Sequence, residues 1–233
     1  TFADGNAVIA AKNSKGVILW SWHIWCAHEG FEEQVYYNNA GTMMDRNLGA
    51  TSATPGEVGC LGLLYQWGRK DPHIGSSSIS EAKFSASTGI WGIKMGYLSV
   101  SFAEENPTIF SGNTMSVGSW TLMKSTNDPC PLGWKIPDKT TWTKACGTKD
   151  KFHTTYNEVN RGFDFSMELG DSPSIWYPAS GYLGYSGKLK NVGNVGYYNA
   201  TPIAFFYFDT ARNCKPDYSG TNLASAVRCI KEQ

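Results

Sequence analysis

The sequence predicts an α+β domain rich in sheet, with two main helices and long loops, and three observations carry that expectation. Nine Trp, 12 Tyr, 11 Phe and 25 Gly stand against 17% charged residues in a chain of 233, a composition suited to strands joined by tight turns. Apolar segments of strand length recur along the chain, bounded by Asn, Ser and Gly. Two segments carry helix signals, one of apolar spacing and one of capping.

The first element is a hairpin: Ala7–Ala11 and Val17–Trp22 flank the polar turn Asn13-Ser14-Lys15-Gly16, with glycine at its exit. A second pairs Gln34–Tyr37 with Thr42–Asp45 across Asn38-Asn39-Ala40-Gly41. Between Pro55 and Pro72, Leu61, Leu64 and Tyr65 fall at helical spacing and predict a short helix over 58–67. Residues 72–128, broken by Ser76-Ser77-Ser78 and Glu104-Glu105-Asn106-Pro107, read as an insertion of loops. Asp138 is placed to accept backbone N–H bonds as the N-cap of a helix carrying Trp142 and Ala145. Short strands then alternate with turns at Ile175–Tyr177, Ala204–Phe208 and Ala224–Ile230. The chain divides into a hairpin over 1–30, read as the remnant of a preceding module, and a domain over 31–233.

Charge and hydropathy narrow the function. Twenty basic and 20 acidic residues cancel, removing the excess of Lys and Arg on which sequence-independent nucleic-acid binding depends. No apolar run reaches the roughly 20 residues of a membrane-spanning helix, and the start at Thr1 lacks a charged and apolar leader, so the chain reads as a trimmed or mature fragment without membrane insertion. Six cysteines at positions 26, 60, 130, 146, 214 and 229 form an even set without C-x-x-C pairs. They read as disulfides of an oxidising compartment, with buried free thiols as the alternative.

Catalytic and metal patterns are weak. His23, Cys26 and His28 are close in sequence, but strand alternation puts Cys26 with Trp20, Trp22 and Ile24, and His23 with Ser21 and Trp25, so they do not converge on one metal. Cys146 and His153 lack a nucleophile elbow. Asp164, Glu168 and Asp171 read as loop charges rather than a glycosidase pair. Gly181, Gly184 and Gly187 form a turn without the Lys-Ser/Thr of a phosphate loop. No Asp-x-Asp-x-Asp-Gly calcium loop occurs. No cofactor is expected. The last sixty residues instead crowd Tyr182, Tyr185, Tyr197, Tyr198, Asn199, Tyr207 and Tyr218 among Asn, Ser and Gly, the vocabulary of adaptable binding surfaces.

Asn6-Ala-Val-Ile-Ala10, Ile18-Leu-Trp-Ser-Trp-His-Ile-Trp25, Met44-Asp-Arg-Asn-Leu-Gly-Ala50, Leu64-Tyr-Gln-Trp-Gly-Arg-Lys-Asp-Pro72, Asp128-Pro-Cys-Pro-Leu-Gly-Trp-Lys-Ile-Pro137, Trp176-Tyr-Pro-Ala-Ser-Gly181 and Ser225-Ala-Val-Arg-Cys229 together resemble the Fibrobacter succinogenes major paralogous domain family. Its relatives occur in fimbrillin-type pilus tip proteins and other surface proteins of gut bacteria. The resemblance implies a C-type-lectin-like fold whose first and last strands pair, similar to the variable proteins of diversity-generating retroelements. It also implies an extracellular binding module on the surface or pilus tip of a Gram-negative bacterium. Its partners would be a host or microbial surface glycan or protein and neighbouring pilus subunits, and it would not be an enzyme. A structural pilin subunit without its own ligand is one alternative, and a relative of formylglycine-generating oxidases another.

Cys130 and Cys229 match family positions, and the fold so implied brings them together as a disulfide. Cys26, Cys60, Cys146 and Cys214 do not match, and their pairing is open. Trp67, Trp134, Trp142, Phe206, Phe208 and Val227 occupy the apolar phase of their segments and are expected in the core. If Phe206 and Phe208 point inward, Phe205 and Tyr207 point outward. There they would join Tyr198, Asn199, Arg212, Asn213, Asp217, Tyr218 and Asn222 in one ligand-binding patch.

Overall fold

The computed structural model of the protein describes residues 3–36, 39–85, 92–112, 120–146, 156–165, 175–211, 214–218 and 222–232. In chain order the elements are β1 (Gly5–Lys12), β2 (Ile18–Cys26), β3 (Glu33–Tyr36), β4 (Gly41–Met44), a 3-10 turn (Val58–Leu61), β5 (Leu64–Gln66), β6 (Pro72–His73) and β7 (Gly92–Lys94). Helix α1 (Val100–Glu105), β8 (Ile109–Ser111), β9 (Trp134–Lys135), helix α2 (Lys139–Cys146), β10 (Gly162–Asp164) and β11 (Trp176–Pro178) follow. The chain then runs through β12 (Tyr182–Leu183), β13 (Leu189–Lys190), β14 (Val195–Ala200), β15 (Ala204–Asp209), β16 (Cys214–Tyr218), β17 (Ala224–Ala226) and β18 (Ile230–Lys231).

This inventory corrects the expected class. Strand makes up 39% of the structure and helix 9%, with α-helices of only six and eight residues among the described residues, so the protein is mostly sheet rather than an α+β fold with two main helices. The helix expected over 58–67 is one 3-10 turn followed by β5. Gly62 explains the break: it sits at φ 68°, and a Cβ there would meet Asn47 Cβ at 2.8 Å and the Leu48 carbonyl at 2.9 Å. Beyond it the chain extends, and Leu64 and Tyr65 enter different core clusters, as neighbours in a strand do. The expected α2 does form, and Asp138 Oδ1 accepts the Thr141 N–H at 2.6 Å.

The largest sheet runs β13-β12-β17-β14-β15-β16, with β5 added against β17 and β6 against β5. Strand β17 is its hub, pairing with β5, β12 and β14. A four-stranded sheet runs β3-β4-β18-β9, and the last strand therefore pairs with β4 and β9. The segment expected as one strand, 224–230, is two. Between them Val227 and Cys229 give their carbonyls to Leu48 N and Met44 N, carrying the chain from one sheet to the other.

Among the described residues two large apolar clusters fill the interior, and a small third one joins Leu98 and Ala103. In one of the large clusters, Trp142 of α2 stacks on Phe206 at 4.6 Å, within a group that includes Phe163, Phe165, Tyr177, Tyr198 and Phe208. The other large cluster holds Met44, Leu48, Tyr65, Trp67, Trp120, Trp134 and Val227 around the Cys130–Cys229 disulfide, which closes a separation of 99 residues. All six expected core residues are buried. The Asp-Arg-Asn and Ala-Val-Arg-Cys motifs meet here. Arg228, 1% exposed, donates to Asn47 Oδ1, to the carbonyls of Met44, Asp45 and Trp176, and lies over the Tyr177 ring. Arg46 forks onto its neighbour Asp45.

The β1–β2 hairpin rests one face on this body. Asn6 Nδ2 donates to the Gly49 carbonyl, Trp25 Nε1 to the Ala50 carbonyl, Ser21 Oγ to Asp71, and His23 Nδ1 is 3.0 Å from Tyr65 Oη. Burial brings His23 down to about 4, against the opposing pull of Asp71, and keeps the imidazole neutral. The other face exposes Ile9, Trp22 and Ile24.

Candidate ligand-binding face

Register across β14, β15 and β16 decides which tail residues can reach a ligand. Tyr197 pairs with Tyr207, Tyr198 with Phe206 and Asn199 with Phe205; on the other edge, Lys215 pairs with Tyr207, Asp217 with Phe205 and Tyr218 with Ala204. Directly paired residues share a face. Along β15 burial alternates strictly, with Ala204, Phe206 and Phe208 inside and Phe205, Tyr207 and Asp209 partly exposed, as the alternation argument expects.

The same register corrects part of the expected patch. Tyr198 lies opposite the core residue Phe206 and is fully buried, its Oη donating to the Pro178 carbonyl at 2.7 Å. Asn199 is also buried. Its side-chain amide donates to the carbonyls of Tyr65 and Ser225, bridging β14 to β5 and β17 where the β14–β17 ladder has a single pairing. Tyr218, 70% exposed, falls on the inner-face phase with Ala204 and carries Lys139 of α2 over its ring at 3.6 Å. Asn222 is half-buried ahead of β17. Arg212 and Asn213 lie outside the described residues.

The outer face is an aromatic row. Tyr197 is its centre, with ring centroids 4.8 Å from Tyr182, 4.8 Å from Phe205 and 5.8 Å from Tyr207; Phe205 and Tyr207 are 5.9 Å apart. All four residues are partly exposed. Lys215 extends over Tyr207, and its ammonium pairs with Asp217 at 2.8 Å. That hydrogen bond holds the Asp217 carboxyl below and Lys215 above their usual ranges. Partial burial, with Tyr182 and Tyr207 alongside, raises the Tyr197 phenol, so it remains a neutral donor. The row therefore offers apolar ring faces, hydroxyls and one exposed ion pair. Lys215 was missed by sequence reasoning, and Tyr197 was passed over for its neighbour. The outward phase of Tyr207, combined with the short turn from Ala200 to Ala204, is the signal that selects Tyr197 over Tyr198.

Clefts also lie elsewhere among the described residues, one of about 440 Å³ between Trp67, Trp120, Leu122 and Ile203. A second, of about 310 Å³, is lined by Lys124, Lys135, Asp138, Lys144 and Lys231 beside the start of α2. A third, about 460 Å³, runs under the β1–β2 hairpin between Val8, His23, Leu63, Pro72, His73 and Ile74. Among the described residues no group of three or more His, Cys, Asp and Glu side chains is arranged to hold a metal ion, and no helix is long and apolar enough to cross a membrane. Comparison with protein-family models, curated proteins and solved structures finds no match to this chain.

Proposed function

We propose that the protein is an extracellular adhesion or ligand-binding domain acting by non-covalent recognition, with the outer face of β14–β16 as its contact surface. The observation that supports this reading is the aromatic row Tyr182, Tyr197, Phe205 and Tyr207, held partly exposed on strands whose other face is core. Rings in mutual contact lose little entropy when a partner covers them, and their hydroxyls keep the surface wettable when free. The ligand suited to such a surface is a glycan or a protein on a host or microbial cell. The Cys130–Cys229 disulfide fits an oxidising compartment, in keeping with the surface or pilus tip of a Gram-negative bacterium. The motif resemblance to the Fibrobacter succinogenes major paralogous domain supports the same setting.

A structural subunit that joins neighbours in a pilus is the second reading, and a specific feature favours it. Among the described residues β1 pairs only with β2, and the hairpin's outer face exposes Ile9, Trp22 and Ile24 to whatever lies next to it.

The test is a glycan and protein array probed with the purified domain, followed by affinity measurement for the strongest hit. Tyr207→Ala is expected to weaken that binding by roughly tenfold or more, as loss of an aromatic anchor does, while the fold is retained. Asp217→Lys, at an exposed ion pair, is expected to change affinity without changing Tm. Unchanged binding in a Tyr197→Ala/Tyr207→Ala double variant would remove this face as the site.

A further inference from the structure

Four cysteines besides the bonded pair are thiols, and two of them meet. Cys146 is the last residue of α2, buried in the larger apolar cluster; Cys214 opens β16 and packs against that cluster from the sheet. The register explains why. Cys214 pairs with Phe208, a core residue, so its side chain takes the inner face on which α2 lies. Helix α2 packs on both β15 and β16, which sets the two thiols side by side in one apolar seam. Cys60, in contrast, sits in the 3-10 turn near Trp176, and Cys26 ends β2 opposite Gly5.

We propose that Cys146 and Cys214 form a second disulfide when the protein meets an oxidant of the disulfide-donor class, leaving Cys26 and Cys60 as thiols. Cys146 Sγ, as thiolate, attacks one sulfur of the donor disulfide and expels the other as a thiolate. Cys214 Sγ passes its proton to that leaving sulfur and attacks Cys146 Sγ, breaking the mixed disulfide; the second donor sulfur leaves as a thiolate and takes up the proton that Cys146 released on ionising. The protein's two thiols thus lose two electrons and two protons, and the donor disulfide is reduced to two thiols. The order of steps follows from the pair's asymmetry. The neighbouring Cys214 favours the Cys146 thiolate, whereas burial and the facing sulfur disfavour charge on Cys214. The bond would fasten β16, an edge strand carrying Lys215 and Asp217, to α2.

The experiment uses the whole chain refolded in oxidised and reduced glutathione, then denatured without reductant, alkylated and mapped by mass spectrometry. The expected result is an intact mass before alkylation that is lower by four hydrogens than the fully reduced chain, and after alkylation a map with Cys130 linked to Cys229, Cys146 linked to Cys214, and alkyl groups on Cys26 and Cys60 only. In Cys146→Ser, Cys214 should become alkylated while the Cys130–Cys229 link persists. Alkylation of both Cys146 and Cys214 in the wild-type chain, or a link from either to Cys26 or Cys60, would overturn the proposal.

Discussion

Replacing Arg228 tests whether the clasp between the two motifs supports the fold. Its guanidinium serves Asn47 Oδ1 at 3.0 and 3.2 Å, the Asp45 carbonyl at 3.0 Å, the Trp176 carbonyl at 2.8 Å and the Met44 carbonyl at 3.3 Å. Arg228→Met keeps the length of the stem and removes every donor, leaving four buried acceptors without that partner. At about 1–3 kcal/mol for each acceptor left unsatisfied, the loss is about 4–12 kcal/mol, offset in part by no longer burying a charge. That range spans most of the roughly 5–15 kcal/mol by which domains are stable. We therefore expect Arg228→Met to fail to reach a cooperative native state at 25 °C. Arg228→Lys keeps the charge but lacks the planar fork, and should fold with a loss of about 2–5 kcal/mol. Urea unfolding followed by tryptophan fluorescence reads both. A Met variant that unfolds cooperatively within about 1 kcal/mol of the wild type would refute the reasoning, because it would mean that the burial cost of the guanidinium equals the worth of its bonds.

Stability should fall on acidification from pH 7 towards pH 4.5. Burial lowers His23 from 6.5 to about 4 and lowers His73 as well, so the unfolded chain takes up these protons first; the contribution is complete above 6.5 and is lost as pH drops through that window. For His23, which retains some exposure, about 1–2 kcal/mol is expected over that range, and His23→Gln should flatten the slope seen in urea midpoints against pH. Asp128, raised chiefly by burial, gives an opposite slope nearer its ordinary range. Trp142→Ala removes a ring that is 1% exposed and stacked on Phe206 at 4.6 Å. A cost of about 3–5 kcal/mol should lower Tm by roughly 6–20 °C in a domain of this size, and a shift of only a degree or two by calorimetry would show that the cluster re-packs around the gap.

How much of this was legible in the residues depends on the range of the interaction. Both hairpins were, because turn chemistry lies inside the turn: Gly16 takes φ 81° and Gly41 φ 105°, within the Asn- and Gly-rich stretches that announce them. The start of α2 was legible for the same reason, since Asp138 caps an N–H three residues away. Strand alternation named Phe206 and Phe208 as core and Phe205 and Tyr207 as the outward phase of β15. The helix expected over 58–67 failed because apolar spacing alone does not register that Gly62 packs against Asn47 and Leu48.

The candidate surface shows the same division at closer range. That the tail carries tyrosines for a surface is a matter of composition, but adjacent tyrosines in a strand point opposite ways, and only pairing with β15 puts Tyr197 outside and Tyr198 inside. Asn199 reads as a binding residue until β5 and β17 bring two carbonyls to its amide. Local propensity and capping act within a few residues and leave their mark in the order of the chain. Which face is desolvated, and which polar side chain finds its partner there, is settled between segments as distant as Asn47 and Arg228, where burial makes an unmet hydrogen bond too costly to leave.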